Sequence, residues 1–176
     1  MKQQGNQPQK STLKQAADLS LLNSSRFHIA VVSCAAFLLY FPSLSYQLTY
    51  YDDATLIENM RVFIAGHHSF FEIFSLSVFG SAKGGSDFYY RPMLTLSLYL
   101  NALAGGTSLT GFHLTNILLH AISAVLLYMF LLKLKFDKQL SFISALFFIV
   151  HPALVQAVAW IPGRNDSLVT SFSLAS

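Results

Sequence analysis

Four groups of residues in this chain have side chains that can do chemistry. The first is Asp52-Asp53. Two carboxylates side by side at a membrane interface repel one another, and a positioned carboxylate is a common general base. One of the pair also suits the cap of a helix starting at Ala54, since Asp is a preferred N-cap, and Thr55 with Glu58 has capping-box spacing. Residues i and i+1 do not face each other on a helix, so the two can divide the roles of cap and reactive group. The second group is Arg91, set between Tyr89-Tyr90 and Pro92. Its guanidinium either packs on a ring or a lipid headgroup or clamps a phosphate in bidentate fashion. The third is Gly163-Arg164-Asn165-Asp166. It is either a polar turn in which Asn165 or Asp166 caps a helix beginning at Ser167, or a second acid and base converging with the first pair on one site. The histidines form the fourth group. His113 and His120 share a helical face, His67-His68 is a loop pair, and His151 before Pro152 reads as a polar group at a helix break. No His-x-x-x-His pattern occurs, and the single cysteine excludes a disulfide framework or a cysteine zinc site.

These groups must be positioned by a membrane protein. Hydrophobic residues make up 53% of the 176 and charged residues only 11%, where a soluble domain carries about 25% charged. Sixteen Phe and eight Tyr exclude a disordered chain. Three apolar runs are predicted to span. The first, Phe27 to Tyr46, is long enough to cross about 30 Å of hydrocarbon and lacks the cleavage site of a signal peptide. Tyr40, Phe41, Tyr46, Tyr50 and Tyr51 read as its interfacial aromatic belt. The second runs from Gly111 or Phe112 to Leu132. The third runs from about Leu140 to Trp160, with a break expected at His151-Pro152. A fourth apolar stretch starts near Ser167. Residues 1–26 read as a cytoplasmic tail, disordered at least over Met1 to Leu13.

Charge placement gives orientation. Lys2, Lys10, Lys14 and Arg26 precede the first span, and Lys133, Lys135 and Lys138 lie between the second and third. The acids Asp52, Asp53, Glu58, Glu72, Asp87 and Asp166 lie in the other connections. The positive-inside rule puts the N-terminus in the cytoplasm and the loop of residues 47–110 on the opposite side. The net charge of +3 is thereby explained by topology, and a nucleic-acid partner is not expected. The partner is membrane lipid.

The long loop divides into amphipathic pieces expected to lie on the membrane surface. Ala54 to Ala65 aligns Leu56, Ile57, Met60, Phe63 and Ile64. Ser69 to Phe79 aligns Phe70, Phe71, Phe74 and Val78. Ser81 to Asp87 is a Gly/Ser-rich turn. Pro92 opens a further helix, which Ala104-Gly105-Gly106 ends.

The order of these pieces resembles a known family. Aromatic-Asp-Asp after the first span is followed by Tyr90-Arg91-Pro92-Met93-Leu94-Thr95. Then come Gly111-Phe112-His113-Leu114-Thr115-Asn116, Leu118-Leu119-His120-Ala121, Phe148-Ile149-Val150-His151-Pro152, and Gly163-Arg164-Asn165-Asp166. This is similar to the membrane part of the transmembrane and tetratricopeptide-repeat-containing proteins and their bacterial relatives. Those are similar to protein O-mannosyltransferases and to the C-type (GT-C) membrane glycosyltransferases. The resemblance implies an all-α, multi-span fold using a polyprenyl-phosphate-linked sugar as donor. It implies an acid of the first extracytoplasmic loop as catalytic base, a position held by Asp52 and Asp53, with Asp166 matching a supporting acid of the second such loop. Of the pair we take Asp53 as the base and Asp52 as its electrostatic or metal-binding neighbour, with Arg91 and Arg164 at the substrate phosphate. Mg²⁺ or Mn²⁺ held by Asp52, Asp53 and Asp166 is a further possibility of this acid set. Later spans or repeats are expected from a longer chain. A truncated, non-catalytic module serving assembly is the alternative. A bacterial inner membrane is favoured, with the endoplasmic reticulum as the second location.

Overall fold

The computed structural model describes residues 24–49, 52–66, 70–75, 77–78 and 89–176. The tail Met1 to Leu13, Tyr50, Tyr51, His67-His68 and the turn Ser81 to Asp87 lie outside them. The described residues are helical, without a strand, and the chain is an all-α integral membrane protein. Helix α1 covers Ser25–Tyr40 and tightens into a 3₁₀ stretch, Phe41–Ser45, where Pro42 removes a backbone donor. Together they form one candidate span. Helix α2 is Asp52–Ala65 and α3 is Pro92–Gly105. Helix α4, Leu109–Lys133, is the second span. Helix α5, Lys138–Val150, and a shorter piece from Pro152 to Ala159 containing α6 (Val155–Ala159) are bent by 54° to each other. Helix α7 is Arg164–Ala175.

The bend has a local cause. His151 is extended, with ψ 122°, as the residue before a proline prefers. Its Nδ1 accepts from the Ala153 amide at 3.3 Å and so caps the next turn. The thirteen residues of α5 rise only about 20 Å, which is short of a full crossing.

Small residues let the spans approach. Val32 and Ala36 of α1, Ala124 and Tyr128 of α4, and Ala145 and Ile149 of α5 form one buried cluster. Several polar groups in and beside it are paired, while His120 Nε2 is buried without a hydrogen-bond partner among the described residues. His28 Nδ1 lies 3.1 Å from the Tyr128 hydroxyl and its ring stacks on Phe142. Ser123 of α4 meets Ser171 of α7 at 2.8 Å. Tyr40 is buried with Ile117 and Val158 and donates to the Ile149 carbonyl. It therefore leaves the expected aromatic belt, whose described members Phe41 and Tyr46 are exposed.

The loop has its own core. Leu56, Ile57 and Met60 of α2 pack with Val78, Leu94, Leu98, Phe112 and Ile161. The stripe expected on α2 is thus buried against protein rather than laid on lipid. The helix expected over Ser69 to Phe79 is a 3₁₀ turn, Phe70–Ser75. Its buried residue is Ile73, while Phe70, Phe71 and Phe74 are exposed. Helix α3 ends at Gly106, whose φ of 64° with ψ −145° is open to glycine and strained for any other residue.

One side chain joins the pieces. Arg164 is fully buried. Its Nε donates to Asn116 Oδ1 at 2.7 Å, Nη1 to the Ser97 carbonyl at 3.2 Å, and Nη2 to Asn101 Oδ1 and the Phe112 carbonyl, both at 2.8 Å. Asn116 Nδ2 in turn donates to the carbonyls of Val158 and Trp160 at 3.1 Å. Helices α3, α4 and α7 and the turn after α6 are thereby tied at one point. Helix α7 begins at Arg164, three residues before the expected Ser167, because the turn Ile161–Gly163 runs directly into it. Gly163 is required there, since a Cβ would overlap the Gln156 carbonyl oxygen.

Two predictions follow from this geometry. Arg164→Lys and Asn116→Ala each strand buried polar groups, at about 1–3 kcal/mol for each group left unpaired. Thermal unfolding in detergent should show a large loss for each and a double mutant less destabilised than their sum; simple additivity would refute the joint. Trp160, the only tryptophan, follows the bent piece and belongs near the interface. Its fluorescence should be quenched more by probes near the headgroups than by probes at the bilayer centre, and the reverse ranking would refute the bend.

Candidate functional site

The two adjacent aspartates have opposite surroundings. Both fall in the first turn of α2, where the helix dipole favours negative charge. Asp53 is buried, and its carboxylate is occupied. Oδ2 accepts from the Thr49 amide at 2.7 Å and Oδ1 from the Thr49 hydroxyl at 2.9 Å. It pins the chain leaving α1 to the start of α2. Asp52 is exposed and lines a cavity of about 380 Å³ together with Thr49, Gln156 and Trp160. The expected helix start at Ala54 moves to Asp52, and the Thr55–Glu58 capping box does not form. Glu58 pairs instead with Arg61 at 3.1 Å.

The cavity joins two stretches far apart in sequence. Thr49 follows the first span and Asp52 opens α2, whereas Gln156 and Trp160 come from the piece beyond the Pro152 break. Asn116 holds the second stretch in place through the Val158 and Trp160 carbonyls. Sequence reasoning gave Gln156 and Trp160 no role in the site and Asn116 none in the fold. The available signal was the lone amide Asn116 within an apolar span, where a polar side chain must find a partner.

The other expected site residues are placed elsewhere. Arg91 is exposed at the start of α3, with its guanidinium carbon 5.8 Å from the centre of the Tyr89 ring. Asp166 is exposed in the first turn of α7. Neither is among the described residues that line the cavity. Arg164 requires a correction. Its donors are spent on Asn116, Asn101 and two carbonyls, and it stacks over Phe112 at 5.6 Å, so it has no face to offer a lipid phosphate. Burial lowers its pKa to about 9, which leaves it cationic at neutral pH. The acid set expected to hold Mg²⁺ or Mn²⁺ does not assemble. Asp53 is occupied by Thr49, and among the described residues no three of His, Cys, Asp and Glu gather closely enough for a metal ion.

No family model and no solved structure matches the chain. Curated proteins do. A protein O-mannosyl-transferase of Caenorhabditis elegans is 34% identical over 72% of this chain and 19% of its own length. The protein O-mannosyl-transferase Tmtc1 of Drosophila melanogaster is 31% identical over 78% of the chain and 16% of its own length. The mouse protein O-mannosyl-transferase TMTC2 is 34% identical over 83% of the chain and 18% of its own length. The chain thus spans less than a fifth of these relatives, all of them animal proteins, and they lend the bacterial inner membrane no support. With its helices, its break at Pro152 and its Asp52 cavity in place, the chain is a membrane-embedded homologue of part of the protein O-mannosyl-transferases.

Proposed function

We propose that the chain forms the acceptor-activating part of a GT-C-type glycosyltransferase that uses a polyprenyl-phosphate-linked sugar, and that Asp52 is its base. The carrying observation is the division between the two aspartates. Asp52 presents a carboxylate to a cavity, while Asp53 is committed to Thr49. This exchanges the roles expected from sequence, with Asp53 now the residue that positions Asp52. The homologues' activity as O-mannosyl-transferases supports sugar transfer in general.

In the proposed reaction Asp52 takes the proton of the acceptor hydroxyl. The hydroxyl oxygen attacks the anomeric carbon as the bond from that carbon to the phosphate oxygen breaks. The polyprenyl phosphate leaves with the bonding pair. Cationic stabilisation of that leaving group falls to Arg91, whose planar guanidinium is exposed and suits bidentate phosphate contact. Asp166 stays as an exposed supporting carboxylate. No step is routed through a metal ion. The lipid-linked donor would approach sideways from the bilayer, and the remaining spans and repeats would come from further chain.

The alternative, a non-catalytic assembly module, has one observation in its favour. An apolar groove of about 650 Å³ runs between α1 and α4, lined by Ile29, Cys34, Phe37, Leu118, Ala121 and Val125 among others. A groove of that kind suits packing against another apolar segment.

Asp52→Asn separates the readings. In membranes carrying the protein at its natural length, it should lower sugar transfer from a polyprenyl-phosphate donor by at least about 10²-fold, the scale of a lost general base. Thermal stability should fall by no more than about 1 kcal/mol, the helix-dipole contribution of one charge, because the Asp52 carboxylate has no hydrogen bond among the described residues. Asp53→Asn should show the opposite balance, losing about 1–3 kcal/mol of stability as its new amide meets the Thr49 donors. Wild-type transfer by Asp52→Asn would leave the assembly module as the better reading. Orientation is checked with Cys34 replaced. Cysteines at Lys10 and Lys135 should resist an impermeant thiol reagent applied from the extracytoplasmic side and one at Ser86 should react, whereas the inverse pattern would put the cavity on the cytoplasmic face.

A further inference from the structure

We infer that Trp160 and Gln156 form the sugar-recognising wall of the Asp52 cavity, with the pyranose ring of the donor as their ligand. This rests on the reading of Asp52 as base and adds the part that holds the transferred group.

The backbone that carries the two residues is fully employed. The Trp160 amide donates to the Gln156 carbonyl at 3.3 Å. The Trp160 carbonyl accepts from Asn116 Nδ2 at 3.1 Å and from the Gly163 amide at 3.0 Å. Gly163 presses so closely on Gln156 that no Cβ is tolerated there. The turn is therefore rigid, and the indole has little freedom to swing away. The side chains are the reverse. Among the described residues neither the Gln156 amide nor the Trp160 indole N–H has a hydrogen-bond partner, and both residues line the cavity beside Asp52. A structural tryptophan that is half-buried ordinarily gives its N–H to a neighbour. Here rigid backbone and unspent side chains occur together.

The chemistry fits a sugar ring. A pyranose has an apolar face of C–H groups and a rim of hydroxyls. Indole offers a flat apolar surface with one donor at its edge. Gln156 offers an acceptor and two donors, enough to bracket two neighbouring hydroxyls. The volume of about 380 Å³ lies near the lower end of small-ligand pockets, suited to one ring and the hydroxyl it reacts with. With the ring on Trp160, the anomeric carbon stays within the cavity that Asp52 faces, which is where an acceptor oxygen must be deprotonated.

Trp160 is the only tryptophan, so intrinsic fluorescence reads the wall directly. The chain in lipid nanodiscs is titrated up to solubility with methyl α-mannopyranoside, methyl α-glucopyranoside and methyl α-galactopyranoside, and with sorbitol as a polyol without a ring. At least one pyranoside should give a saturable change, and sorbitol none. Gln156→Ala should weaken that response about fivefold, the size of one neutral hydrogen bond. In transfer assays Trp160→Phe should raise KM for the donor more than it lowers kcat. No response to any pyranoside, an equal response to sorbitol, or indifference to Gln156→Ala would overturn the wall. If transfer falls in Asp52→Asn while the titrations are flat, the wall fails and the base stands. If the titrations saturate while Asp52→Asn transfers normally, the base fails and the wall stands.

Discussion

The fold depends on a buried cation that has no carboxylate against it. Arg164 is completely enclosed, and the one ion pair among the described residues, Arg61 with Glu58, lies on the surface. Burying a charge costs several kcal/mol unless hydrogen bonds compensate. Here compensation comes from two amide oxygens and two backbone carbonyls. The acceptors belong to α3 and α4, and the donor to α7. None of these elements can shift without stranding part of the guanidinium, so an interaction that is costly in isolation enforces one arrangement. Lysine carries the same charge but lacks the planar fork that reaches four acceptors at once.

From that point the order passes to the site. Asn116 accepts from Arg164 and gives its own donors to Val158 and Trp160. Those carbonyls are freed where α6 ends, since Trp160 is extended and Pro162 has no N–H to give the Val158 carbonyl. The end of α6 therefore creates the acceptors by which the second span holds the cavity wall. On the other side, Asp53 performs the same service with Thr49.

Much of this was legible. The first two apolar spans, the break at His151-Pro152 with a polar histidine at it, and the glycine end of α3 follow from apolar runs and backbone sterics, which act locally. The roles of Asp52 and Asp53 were not legible, because adjacent identical residues differ only in the direction the helix turns them. Arg164 misled for a related reason. An arginine in a polar turn looks exposed, and only the convergence of Ser97, Asn101, Phe112 and Asn116 shows that it is not. Tyr40 was assigned to the interface by its position at the end of an apolar run, yet His120 and Phe148 form an aromatic stack beside it and draw it inward. The phenylalanines at 70, 71 and 74 suggested an α-helical stripe, and the segment is instead a 3₁₀ turn that leaves all three exposed.

A functional site needs groups that are held firmly and groups that are left unspent. The fold separates the two by residue. Thr49, Asp53, Asn116, Gly163 and the main chain at Trp160 have their hydrogen-bonding capacity or their contact space consumed inside the protein. Asp52, Gln156 and the indole of Trp160 meet at the cavity with theirs intact. A ligand that enters the cavity need not first break a protein contact to reach these polar groups. A site arranged in this way incurs little reorganisation on binding, and reorganisation is the part of the barrier that preorganised groups remove. The fold's stability rests on Arg164 and its acceptors, away from the carboxylate assigned to the reaction, so Asp52 is free to face the cavity without being needed to hold the helices together.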